Sequence, residues 1–128
     1  MNQQNLKNDF LTAILDHNLD MVKDLIKLGI PLNLFDTAFI LASAVGDLPI
    51  VDYLNKIILP AEFSKIMTNA AFIIATENNN LNIVQYLIQT YKPTYTYFNL
   101  DDAIYIANQS QYHSIASYLN NIKAEVRR

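Results

Sequence analysis

The chain has no cysteine. Disulfides, thiolate metal sites, iron–sulfur clusters and thiol nucleophiles are excluded together. A cysteine-free chain also fits the cytoplasm. Glycine is almost as scarce, with Gly29 and Gly46 alone. Two separated glycines cannot build a phosphate loop or a dinucleotide fingerprint. The only imidazoles, His17 and His113, are far apart in sequence, and a zinc site needs three or four converging ligands. Charge is low, with 9 Lys+Arg against 12 Asp+Glu and a formal net charge of −3. Nothing draws such a chain to a phosphate backbone, so nucleic acid is not an expected partner. The longest uncharged stretch, residues 103–122, would just span a bilayer. It holds Asn108, Gln109, Gln111, His113, Asn120 and Asn121, too many polar groups for lipid, so no membrane partner is expected. The opening MNQQNLKNDF lacks the apolar segment of a signal peptide. This inventory predicts neither an enzyme nor a bound cofactor or metal.

What is present is apolar and periodic. Hydrophobic residues make up 52% of 128 residues, enough for one domain with its own core over residues 1–128. Four segments align without internal gaps, taken from Asp9, Ala38, Ala70 and Ala103. They share Ala13, Ala42, Ala75 and Ala107, and twelve positions later Leu25, Leu54, Leu87 and Leu119. Met21, Ile50, Ile83 and Ile115 fall between, followed by Val22, Val51, Val84 and Ala116. Each unit reads as two short helices, for neither has apolar surface enough to stand alone and stacking on the next unit buries it. Pro49 suits the first turn of a second helix, where its missing N–H has no partner. The break between the helices carries His17, Gly46, Asn79 and Gln111. A tight turn there needs a left-handed residue, which Gly, Asn and His tolerate. Gln111 does not fit, so the last turn is expected to be looser. Leu119, in the terminal unit, is expected to be packed on one side only.

This pattern resembles the ankyrin repeat, a β-turn finger followed by two antiparallel helices. The first unit carries the clearest second half, from His17 through Asp20-Met21-Val22 and Leu25-Ile26 to Gly29 and Asn33. Thr37-Ala38-Phe39-Ile40-Leu41-Ala42 stands where the family has T-P-L-H-x-A. The family's Pro and His are missing from every first helix, and the close spacing of Ala13 and Ala42 predicts a truncated first finger. The resemblance implies an all-α, helix-hairpin solenoid of four stacked repeats, over residues 8–33, 37–59, 70–92 and 102–122.

By the same resemblance the chain is a non-catalytic protein–protein interaction module, recognising a protein partner through its concave finger and first-helix face. Carried over by position, the contacts are Asp36, Ala44 and Val45; Asn69, Glu77 and Asn78; and Asp101, Gln109 and Ser110. Tyr95, Tyr97 and Phe98 in the aromatic stretch before the fourth unit join them, because tyrosine offers large contact area with few rotamers. Tyr53, Tyr86 and Tyr118 share one repeat position and read as packing between units. Asp16, Asp20 and Asp24 read as a solvated face, and Asp101-Asp102 as a helix cap. Asn- and Ile-rich repeats of this kind also look like those of intracellular bacteria and large viruses. That suggests a secreted effector acting on a host protein in the host cytoplasm. A self-associating structural piece is the other alternative, with the chain a monomer or weakly self-associating.

Overall fold

The computed structural model describes residues 3–31, 33–57, 65–91 and 98–126. Eight helices and no strand occur among the described residues. They are α1 (Gln3–Leu15), α2 (Leu19–Lys27), α3 (Asn33–Val45), α4 (Leu48–Ile57), α5 (Lys65–Glu77), α6 (Leu81–Thr90), α7 (Leu100–Gln109) and α8 (His113–Val126). The protein is therefore all-α. Each odd helix packs on the even helix that follows it. The odd helices also pack in chain order, α1 on α3, α3 on α5 and α5 on α7, and the even helices do the same with fewer contacts. The odd row is thus the tighter one. Its alanines explain why: Ala38 and Ala42, Ala71 and Ala75, and Ala103 and Ala107 are all fully buried, and small side chains let helices approach closely.

The first helices start earlier than the repeat pattern alone suggests. Phe35 and Thr68, seven residues before an alanine, fall again on the core-facing stripe and are buried. Phe35 meets Phe10 edge-on, ring centroids 6.3 Å apart. The start of α7 is set by Asn99, three residues ahead of the expected Asp102 cap. Asn99 Oδ1 accepts the Asp102 N–H at 3.1 Å, and its Nδ2 donates to the Asp102 carboxylate at 2.8 Å. Asn99 is thus the N-cap, and the Asp102 carboxylate holds its side chain in place.

The four turns between paired helices are alike. His17, Gly46, Asn79 and Gln111 have φ of 57°, 78°, 59° and 62°. The expectation of a looser turn at Gln111 is therefore corrected. After each left-handed residue, the next N–H donates to the shared alanine's carbonyl. These bonds are Asn18 to Ala13, Asp47 to Ala42, Asn80 to Ala75 and Tyr112 to Ala107, at 2.8–3.1 Å. That closure satisfies a helix-end carbonyl and enforces the geometry on a glutamine as firmly as on a glycine.

Gly46 adds a steric demand. A Cβ there would lie 2.9 Å from Asn80 Oδ1, in a side chain that donates to the Ser43 and Ala44 carbonyls at 2.9 Å each. Gly46→Ala is expected to cost about 2–3 kcal/mol, combining left-handed strain with a displaced hydrogen-bonded neighbour. Gly29→Ala, where no atom lies within 4 Å of the new methyl, should cost only the strain, about 1 kcal/mol. Gln111→Gly should instead gain up to about 1 kcal/mol. Urea titrations of the three variants check this order.

Candidate functional site

Contacts between neighbouring pairs run along two edges. At the turn edge, His17 donates from Nδ1 to Asp47 Oδ2 at 2.9 Å, while Asp47 Oδ1 accepts the Ile50 N–H and caps α4. Asn80 binds the end of α3, as described, and Tyr112 donates its hydroxyl to the Glu77 carbonyl at 3.3 Å. On the even-helix side, the Tyr86 hydroxyl donates to Asp52 and the Tyr91 hydroxyl to Asn55, at 2.8 and 2.7 Å. Lys23 Nζ sits 5.2 Å from the centre of the Tyr53 ring. Tyr53 and Tyr86, at this repeat position, do span units, as their recurrence suggests.

Burial pushes the Tyr86 hydroxyl up to about 12, helped by its bond to the Asp52 carboxylate. The Lys56 ammonium, 2.8 Å from Asp52, holds that carboxyl below its ordinary value, and the Tyr86 hydroxyl adds to the effect. A phenol that ionises at higher pH when folded favours folding below its unfolded value near 10. That stability is lost as pH rises from there through about 12. Alkaline unfolding followed by circular dichroism should therefore set in at lower pH for the native chain than its neutral-pH stability alone implies. Tyr86→Phe should flatten the decline over that window.

The positions carried over from the ankyrin resemblance fall at the ends of the first helices. Asp36 and Asp101 lie in the first turns of α3 and α7, and Asn69 in the second turn of α5. Asp36 and Asp101 are exposed, and Asp101 pairs with Lys123. Asn69 is half-buried, its Oδ1 accepting the Asn99 N–H at 2.8 Å. Ala44 and Val45, Glu77 and Asn78, and Gln109 and Ser110 line up at the other ends. Ala44 and Val45 are half-buried and the other four are exposed. The packing of α3 on α5 and of α5 on α7 brings each set side by side. Phe98 departs from expectation. It is buried, with its ring 4.8 Å from Phe72 and 6.2 Å from Tyr91. It fills core space between pairs and offers no surface to a partner. Tyr95 and Tyr97 lie outside the described residues. Asp16, Asp20 and Asp24 are all exposed.

Sequence reasoning missed a row of apolar side chains on the first helices. By the helical period, the residues one and two before each shared alanine fall on the side opposite its buried stripe. Leu11, Ile40, Leu41, Ile73, Ile74 and Ile106 are half-buried there. The end members of the row, Thr12 and Tyr105, are exposed, Tyr105 to 66%. The signal was present in the alignment: apolar residues recur where an amphipathic surface helix would be polar. A separate cavity of about 300 Å³ opens on the first pair, lined by Asp9, Thr12, Ala13, Asp16, Asn18 and Met21. These positions correspond to those that, in later pairs, face the preceding pair. Among the described residues no group of three or more His, Cys, Asp or Glu is placed to hold a metal. No described helix is long and apolar enough to cross a membrane. No family model, no curated protein and no solved structure matches the chain.

Proposed function

We propose that the chain is a protein-interaction module of the ankyrin kind, a stack of four helix hairpins with no catalytic role. It binds a protein partner through the concave side formed by its first helices and the segments before them. The observation that carries this reading is the tight odd-helix row with its uncovered outer face. The same repeat positions return there from pair to pair, partly exposed. A surface assembled from equivalent positions of successive units suits an extended contact with another protein.

The reading is tested by affinity capture with the intact chain, repeated with Tyr105→Ala and Glu77→Lys on the first helices and Lys56→Ala on the second. The same captured protein should be lost with the first two variants and kept with the third. Loss with Lys56→Ala alone, with folding intact, would place recognition on the opposite side. Sedimentation velocity over a range of concentrations should give the monomer mass, and a rising mass without any partner would favour self-association instead.

A further inference from the structure

The first-helix face combines an apolar floor with an acidic frame. The floor is the row just described, running across four helices from Leu11 to Tyr105. The first helices carry Asp9, Asp36, Glu77, Asp101 and Asp102 against Lys7 and Lys65. The second helices balance, with Asp20, Asp24, Asp52 and Glu125 against Lys23, Lys27, Lys56 and Lys123. The helical excess of negative charge therefore sits entirely in the row that bears the exposed apolar side chains. The ion pair of Asp101 with Lys123 draws its cation from the last even helix.

Geometry limits what fits. Packed helices lie about 8–10 Å apart, so four in a row span about 25–30 Å between outer axes. An extended chain rises about 3.3 Å per residue, so about eight or nine residues cross the row. Each gap between neighbouring helices then meets about every third residue. On each side of a gap stands an apolar residue: two before the alanine on one helix, one before it on the next. Leu11 and Leu41, Ile40 and Ile74, and Ile73 and Ile106 are matched in this way.

We propose that this face takes an extended segment of another protein, with apolar side chains about every third residue and Lys or Arg between them. The apolar side chains enter the gaps between first helices, and the basic ones meet Asp36, Glu77 and their neighbours. Opposite charge at the rim steers encounter and rejects acidic segments, while the floor supplies the contact area. The inference rests on the protein-binding reading above and adds the chemistry of the partner.

The test is selection from a random peptide display library, about twelve residues long, on the full chain, followed by fluorescence titration of the enriched peptides. Enriched peptides should be basic with apolar residues spaced by about three. Binding should weaken about tenfold or more in Tyr105→Ser and in Glu77→Lys, and should fall with added salt. Lys56→Glu, on the second helices, should leave it unchanged, and circular dichroism verifies that each variant folds. Because Tyr105 and Glu77 are exposed, neither change disturbs the core. Enriched peptides that are acidic or lack apolar residues would overturn the inference and leave the protein-binding reading standing. So would basic peptides indifferent to both first-helix variants. A dimer that dissociates in Tyr105→Ser would assign the face to a second copy and overturn it too. Failure to enrich any peptide overturns it as well, and affinity capture then decides separately whether a partner binds at all.

Discussion

Phe72→Ala should lower the unfolding free energy by about 3–5 kcal/mol, the range for truncating a buried aromatic side chain. Phe72 is fully buried in α5, and its ring lies 4.8 Å from Phe98, immediately before α7. Tyr91, just beyond α6, meets the same Phe98 ring edge-on. One aromatic cluster therefore ties the third helix pair to the fourth. Removing the Phe72 ring takes from Phe98 its nearer aromatic partner and leaves a cavity between α5 and the segment before α7. In an array where each pair contacts only its neighbours, the weakened junction should also reduce cooperativity. A urea titration followed at 222 nm should show a lower midpoint and a shallower slope, with α7 and α8 melting ahead of the rest. Phe72→Leu keeps most of the volume and should restore most of the loss. A loss below about 1 kcal/mol would show that the cluster does not hold the junction.

The shared leucines give the second large effect. Leu54, Leu87 and Leu119 are all fully buried. Each replacement by alanine should cost about 2–5 kcal/mol. Position in the chain argues for a smaller loss at Leu119, since no further pair packs beyond it among the described residues. The structure removes that distinction. Helix α8 runs on to Val126, and Ile122 is buried beside Leu119 on the same helix. Leu119 is thus as fully covered as Leu54 and Leu87. The three variants, compared in one urea series, should fall in one range. A Leu119→Ala loss far below the other two would mean that the last pair opens too readily for the burial of Leu119 to count.

Much of the fold was legible in the alignment of units. Ala13, Ala42, Ala75 and Ala107 mark the close-packed row, and Leu25, Leu54, Leu87 and Leu119 mark the core side of the second helices. The left-handed turns were legible at His17, Gly46 and Asn79 because those residue types tolerate positive φ. Gln111 was misread because residue preference is a weak term. The carbonyl of Ala107 and the helix that follows outweigh it. The candidate face was half legible. The ends of the first helices could be carried over by position. The apolar floor between them left its trace in the residues that recur before each shared alanine, but how far each is exposed was not legible, because a half-exposed isoleucine and a buried one look alike in sequence.

From the sequence alone come the helix pairs, their register, the apolar side of each helix and the chemistry excluded by missing cysteine and glycine. These are local or periodic properties, and each reads from residues a few positions apart. Only the tertiary structure decided which neighbour covers each side. It buried Phe98, which composition offered as a surface aromatic, and left Tyr105 exposed. It joined His17 to Asp47 and Asn80 to Ser43 and Ala44, partners thirty or more residues apart. It also set carboxylates from four separate helices on the same helix row as the half-exposed apolar side chains. The period of a pattern tells which face of a helix is apolar, but the packing of that helix against others determines how much of the face stays open.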